Sequence, residues 1–274
     1  MTIDTDVTID ILDLDRSADL ARHRDGIAAL FAGAFGKPLD PELWDWAYLR
    51  NPFGDAMVSV AMHQGRLIGH YAVIPLELRN DEGGLRAYLS MTTMVDAEFR
   101  MLGLFKTLAE RVYARIEERG APAVVCGFPN DSSAPGFERK LGWTILDDVR
   151  VVTVAGEELR DLTSVLRRPS ASYFLDMDTP EVARWRTGKP GPAWSLRDGI
   201  GLKPHAGGHD LMYVGDAAAL ADVRVSGPVN VLLDRAQLGD RSYGEAFDYR
   251  FGYRAFQLAQ PVDFSLQMCL SDVF

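Results

Sequence analysis

The residue pattern of this chain predicts a mixed α/β fold, with a sheet of hairpin-linked strands flanked by helices, then a smaller C-terminal α/β region. Three observations predict it. Residues 57–95 alternate as strands around two hairpin turns. An amphipathic helix follows at once, from Leu104 to a stop at Gly120. Hydrophobic residues make up 47% and charged residues 25% of the 274, enough apolar content for a packed core.

The elements can be justified in order. Residues 7–12 alternate as a strand should, with Val7, Ile9 and Ile11 on one side and Thr8 and Asp10 on the other. Residues 25–35 read as a helix with Ile27, Leu30, Phe31 and Ala34 on one face and Gly36 as its stop. Residues 41–50 read as a short helix dense in aromatics, ended by Asn51-Pro52-Phe53-Gly54. Strands 57–62 and 67–74 meet at the turn His63-Gln64-Gly65-Arg66, and Pro75 interrupts. A second hairpin through residues 80–84 leads to a strand over 87–95. In the next helix Leu104, Phe105, Leu108, Ala109, Val112 and Ile116 share one face, and Gly120 serves as C-cap. Residues 124–128 read as a buried strand, 129–135 as a polar loop, 136–141 as a short helix and 144–154 as a strand or pair of strands.

The pattern divides the chain into residues 1–154 and 155–274. The second part is less regular. Residues 157–168, 216–223 and 241–251 read as helices, and 212–214, 229–233 and 267–270 as strands. The runs Trp46-Ala-Tyr-Leu-Arg-Asn-Pro and Trp185-Arg-Thr-Gly-Lys-Pro echo each other ahead of apparent strands. Internal duplication and coincidence both account for that echo.

Composition excludes several classes. A net charge of −10 leaves no cationic excess to displace counterions from nucleic acid, or to be drawn to an anionic bilayer. No apolar run reaches the length of a membrane span, and the acidic N-terminus lacks the features of a signal peptide, so a cytoplasmic chain is expected. Cys126 and Cys269 are expected to be buried reduced thiols. No Cys/His spacing suits a metal, and none is expected.

The most informative stretch is residues 91–120, a strand, a turn carrying Arg100 and Gly103, then the helix. Such a turn aims backbone N–H groups and a helix N-terminus at one point, as a pyrophosphate site requires.

The run Arg100-Met101-Leu102-Gly103-Leu104-Phe105 resembles the acyl-CoA loop of the GNAT superfamily of N-acyltransferases, (Arg/Gln)-x-x-Gly-x-(Gly/Ala). Phe105 departs from it, where a small residue is usual. Residues 127–133 with the ending Phe137-Glu-Arg-Lys-Leu-Gly142-Trp143 resemble the later strand, loop and helix of that family. The resemblance covers residues 7–154. It implies a central mixed, mostly antiparallel sheet, with the Trp echo suiting a degenerate second GNAT-like half.

Function follows from the resemblance as an expectation. The chain would move an acyl group, acetyl by default, from acyl-CoA to the amine of a small polar acceptor. An amino sugar, free or nucleotide-linked, is the preferred acceptor, and an aminoglycoside or a protein lysine the runner-up. A non-catalytic acyl-CoA-binding regulatory module is the reading from another class. Met94 and Val95 would pair with the pantetheine arm, and Arg100, Met101, Leu102, Gly103, Leu104 and Phe105 would wrap the pyrophosphate. Asn130 would bond the pantetheine or the substrate, or simply form a turn with Pro129. Asp96, Glu98, Asp131 and His70 are the candidates for a general base. Phe137 stands where relatives carry a proton-donating Tyr, and as a Phe it packs. Trp44, Trp46 and Tyr48 suit an acceptor-pocket wall or plain core. A small-molecule amine is the expected partner, with a homodimer as the expected assembly.

Overall fold

A computed structural model describes residues 8–244, 246–259 and 261–271; Val7 lies outside them. The first part runs β1 (Asp10–Leu14), α1 (Ser17–Arg22), α2 (Arg24–Phe35), α3 (Pro41–Tyr48), β2 (Met57–His63), β3 (Arg66–Arg79), β4 (Gly84–Val95), α4 (Leu104–Glu117), β5 (Ala123–Gly127), α5 (Ala134–Leu141), β6 (Thr144–Leu146) and β7 (Arg150–Ala155). There follow β8 (Phe174–Leu175), α6 (Pro180–Thr187), β9 (Ser195–Arg197), β10 (Ile200–His205), β11 (Gly208–Val214), β12 (Pro228–Leu233), α7 (Arg235–Leu238), β13 (Ala246–Asp248) and β14 (Phe251–Phe256).

Local chemistry explains the main elements. Asp40 caps α3 by accepting from Glu42 N–H at 2.8 Å, with Pro41 in the first turn. Gln64 and Gly65 both adopt positive φ, the geometry of a tight hairpin turn between β2 and β3. Pro75 does not interrupt its strand. β2 ends opposite Val73, so the side of Pro75 away from β4 has no ladder partner, and its carbonyl accepts from Asn51 Nδ2 at 3.0 Å.

Two sheets result. The first has the order β1-β2-β3-β4-β5-β14-β6, with β8 on β3, and the second β13-β7-β12-β11-β10-β9. Both follow one plan. An antiparallel meander (β2-β3-β4, or β9-β10-β11) crosses to a parallel partner (β5, or β12). An antiparallel strand follows, then a short edge strand. The strand beside β5 is β14, and the strand beside β12 is β7. The first half therefore lends β7 to the second sheet, and the second half lends β14 and the short β8 to the first. The second half repeats the topology of the first, and the sheets do not divide the chain at 154/155.

The exchange brings α3 and α6 face to face. Trp46 and Trp185 stack at 4.7 Å with planes 10° apart. Trp46 Nε1 donates to the Trp185 carbonyl at 2.7 Å, and Trp185 Nε1 to the Trp46 carbonyl at 3.0 Å. The reciprocity has a sequence counterpart. Pro41-Glu42 and Pro180-Glu181 each precede a Trp by the same spacing, and α6 is followed by the second meander as α3 is by the first.

The core has three parts. α4 and α5 cover one face of the first sheet. α2, α3 and the second half cover its other face in one continuous cluster. A third cluster lies within the second half.

Several expectations for the second half are corrected. Residues 241–251 hold β13 and the start of β14 rather than a helix, because both strands complete sheets whose partners are remote in sequence. Met268–Leu270 is a short 3-10 turn rather than a strand, and the helix expected at 157–168 is a 3-10 turn over Gly156–Leu162. Ala217–Asp222 is likewise 3-10.

The Trp pair should carry a large share of the docking energy. Trp46→Ala or Trp185→Ala is expected to lower stability by about 3–5 kcal/mol, with the double substitution costing less than the sum because both truncate one stack. Urea denaturation of the three variants measures this.

Candidate active site

The site begins where two strands part. β4 and β5 pair in parallel from Arg86↔Ala123 to Leu89↔Cys126 and no further. Beyond that point two chambers open between them. The first, about 400 Å³, is lined by Met94, Val95, Arg100, Phe105 and Lys140 among others. The second, about 290 Å³, is lined by Ser90, Thr92, Gly127, Asn130 and Trp143 among others. Phe35, Thr93, Ser133 and Phe137 line both, so the chambers adjoin.

The parting coincides with a bulge in β4. β3 advances from His70 to Ala72 while β4 covers Met94 to Met91, so β4 carries one extra residue. Thr92 sits there at φ 55°. A β-branched residue in that region costs about 1–3 kcal/mol of local strain, which its surroundings must offset. The Thr92 carbonyl turns toward β3 and meets His70 Nδ1 at 2.7 Å. Since a carbonyl only accepts, His70 carries its proton on Nδ1.

The first chamber ends at the predicted turn. Asp96 caps a 3-10 turn over Ala97–Leu102 by accepting from Glu98 N–H at 3.0 Å. Gly103 then takes φ 72° and starts α4 with no side-chain cap. The first N–H groups of α4 are thus left for solvent or an anion. Among the described residues nothing lies within 4 Å of where a Gly103 Cβ would sit, so the approach is open. Arg100 and Lys140 add positive charge to the chamber. A diphosphate fits this donor set.

Phe105, the departure from the acyl-CoA loop pattern, packs across onto α5. A Cβ on Gly136 would meet the Phe105 ring at 3.3 Å, so a bare glycine makes the room. Phe105 is edge-on to Phe137 at 5.3 Å, and Phe137 packs on Trp143 at 4.4 Å. Phe137 is buried in that aromatic wall and offers the chambers no hydroxyl.

The other predicted residues fall into two groups. Met94, Val95, Arg100, Phe105 and Asn130 line the chambers; Gly103 and Leu104 form the junction beside them. Met101 and Leu102 stand exposed on the turn, and Leu104 is buried beneath it. Asn130 Oδ1 accepts from Ser132 and Ser133 N–H, which shapes the turn before α5.

The acid–base candidates lie elsewhere. Asp96 and Glu98 both pair with Arg66 on the far side of the turn, at 2.9 and 3.1 Å. Asp131 is exposed and paired with Arg250. His70 is buried behind the bulge. Trp44, Trp46 and Tyr48 are core residues between the halves and line neither chamber.

Sequence reasoning missed Phe35, Ser90, Thr92, Thr93, Ser133 and Lys140. Ser133 lies in the Asn130 loop and is within reach of the same motif. The Thr-Thr pair reads as ordinary strand sequence, and a bulge leaves no composition signal.

The second half has a corresponding divergence, and the chain itself fills it. β11 and β12 pair only at His209↔Val229 and Asp210↔Asn230. In the gap beyond, residues 265–267 are seated against Leu211, Val214, Val231 and Leu232, leaving about 20 Å³. Gln267 Oε1 accepts from Val214 N–H at 2.6 Å, and its Nε2 donates to the Val214 carbonyl at 3.3 Å. One side-chain amide thus satisfies the edge backbone that the open cleft leaves available.

Strand order and an open parallel divergence together define a splayed mixed sheet. Residues 20–146 of this chain match the family model described as an acetyltransferase (GNAT) domain. Among solved structures, a GCN5-related N-acetyltransferase from Kribbella flavida aligns with a TM-score of 0.63 at 14% identity, covering 90% of this chain and 71% of that one. A GCN5-related N-acetyltransferase from Anabaena variabilis aligns at 0.59 and 12%, covering 89% and 72%. A glucosamine N-acetyltransferase region of a fungal multi-domain β-N-acetylglucosaminidase aligns at 0.51 and 14%, covering 92% and 38%. At these identities the likeness is one of fold, and it extends over both sheets. No curated protein matches the sequence.

Burial holds the His70 imidazole neutral, with its pKa lowered to about 4 despite the bond to Thr92. The unfolded chain takes up the proton near pH 6.5, so stability should be full above that pH and fall as pH drops toward 4. The loss from this group should reach roughly 3 kcal/mol. Urea denaturation across pH 4–7.5 tests it, with a shallower slope expected in His70→Asn.

Proposed function

We propose that this protein transfers an acyl group, acetyl in the first instance, from acyl-CoA to the amine of a small polar acceptor. The observation that carries the reading is the pair of adjoining chambers. One ends at an uncapped helix N-terminus flanked by Arg100 and Lys140, and the other opens beyond the same strand divergence toward Asn130. The nucleotide end of a cofactor suits the first. A thioester at the junction near Thr93, Ser133 and Phe137 would face an acceptor entering the second.

The chemistry asked of the chain is modest. The amine nitrogen bonds the thioester carbon, the C–S bond breaks, the sulfur takes a proton and the nitrogen loses one. Among the described residues no carboxylate or imidazole lines either chamber, so alignment of the two reactants is the main contribution. Alignment is worth about 7–11 kcal/mol where geometry is near-attack. Backbone N–H groups on β4 would support the carbonyl oxygen as charge develops.

An amino sugar is our preferred acceptor. The residues around Asn130 and the fold shared with a glucosamine N-acetyltransferase region support that choice. An aminoglycoside is the alternative of the same chemistry. A protein lysine fits less well, because the second half packs beside the cleft. The absent hydroxyl at Phe137 favours one further reading, an acyl-CoA-binding module without turnover.

Two measurements separate these readings. Titration with acetyl-CoA is expected to raise the melting temperature and to bind one molecule per chain, the second divergence being filled. Gly103→Asp, which puts a carboxylate against the pyrophosphate, should weaken binding at least about tenfold through charge repulsion and blocked approach. Thiol release over a panel of amines then decides turnover. Phe137→Tyr should leave the rate nearly unchanged. Binding without turnover on any amine would favour the module, and no binding would remove both readings.

A further inference from the structure

We propose that His70 is a positioning residue: its Nδ1–H anchors the Thr92 carbonyl and thereby holds the β4 bulge in the shape that aims the next backbone N–H away from the core and into the cleft. This deepens the acyltransfer reading and rests on it for its kinetic part.

The argument starts from the peptide plane. In a trans peptide the carbonyl of one residue and the N–H of the next point in opposite directions. The Thr92 carbonyl points at His70, on the face of the sheet covered by α3. The Thr93 N–H belongs to the same plane and so points away from that face. Thr92 and Thr93 both line the second chamber, and Thr93 lines the first as well. The bond to His70 at 2.7 Å therefore fixes a donor at the junction of the chambers.

The arrangement needs an anchor. Thr92 is held at φ 55°, which a β-branched residue leaves readily if released. The extra residue in β4 removes the ladder bonds that would otherwise hold it. His70 supplies the missing restraint and is itself fixed. It is fully buried on the central strand β3, and Tyr48 of α3 lies edge-on over it at 6.3 Å between ring centroids. Its Nε2 has no hydrogen-bond partner among the described residues, so Nδ1 makes the ring's polar contact. A buried, neutral imidazole with one bond, to a strained carbonyl, is arranged to hold rather than to exchange protons.

Three substitutions test the assignment. Asn places an amide donor where Nδ1 was, Gln places one where Nε2 was, and Phe fills the volume with no donor. In the ligand-free protein, hydrogen exchange over residues 91–95 should rise in His70→Phe and His70→Gln and stay near wild type in His70→Asn. With acetyl-CoA and an accepted amine, His70→Phe should lower kcat by about 100-fold, the scale of a lost or misaimed backbone donor, while KM for acetyl-CoA changes little because its phosphates bind the separate turn. His70→Asn should recover most of that loss. Unchanged exchange in His70→Phe, or recovery by Gln rather than Asn, would overturn the proposal. If His70→Phe fails to fold, the contrast between Asn and Gln decides it. If the wild-type chain transfers no acyl group, the functional reading falls, and the exchange measurement still decides whether His70 holds the bulge.

Discussion

The structure depends on one broken pairing. β4 and β5 share a parallel ladder for four residue pairs and then diverge, and every feature of the site follows from that divergence. Parallel strands in a packed sheet ordinarily keep their hydrogen bonds, since unpaired buried backbone is costly. Here the cost is met on both sides. On β4, the bulge turns a carbonyl back into the protein toward His70. On β5, the chain leaves through Pro129 and Asn130, whose turn satisfies its own N–H groups with a side chain. The aromatic wall of Phe105, Phe137 and Trp143 holds the gap open.

The second divergence shows what happens without a cleft to keep. The same strand plan recurs, the same kind of gap opens between β11 and β12, and residues 265–267 close it. Gln267 binds both backbone groups of Val214, an internal substitute for whatever would lie along an open edge. The second half is thus structural in its own gap and supportive in the first. It gives β14 to the first sheet and docks α6 on α3 through the Trp46–Trp185 stack. The stack shares one core cluster with Tyr48, which lies edge-on to His70, the residue bonded to the Thr92 carbonyl.

Much of this was legible in advance, for definable reasons. The hairpin at Gln64-Gly65, the amphipathic face of α4 and the stop at Gly120 are local, and local chemistry settles them. The turn at Arg100–Gly103 was legible because it needs a glycine at a set distance from a helix start. The candidate bases were not. Asp96, Glu98 and Asp131 have the right chemistry, but Arg66 and Arg250 take them, and those partners come from other elements. The aromatic cluster around Trp46 was ambiguous for a related reason. A Trp-rich helix reads alike as pocket wall or core until its partner, remote in sequence, is known.

The sequence by itself determined the order of strands and helices in the first half apart from α1, the turn at Arg100–Gly103 and the echo between two Trp-bearing segments. Each is written in residues close to one another, where periodicity and backbone preference act. Tertiary structure alone decided that β7 and β14 change sheets, that the echo is a reciprocal stack and that the second gap is filled. It also decided that Thr92 bulges toward a buried His70. These rest on pairings across many residues of separation. Such pairings depend on which backbone edges and apolar faces are still unsatisfied once the local elements have formed, and no short stretch of sequence records that.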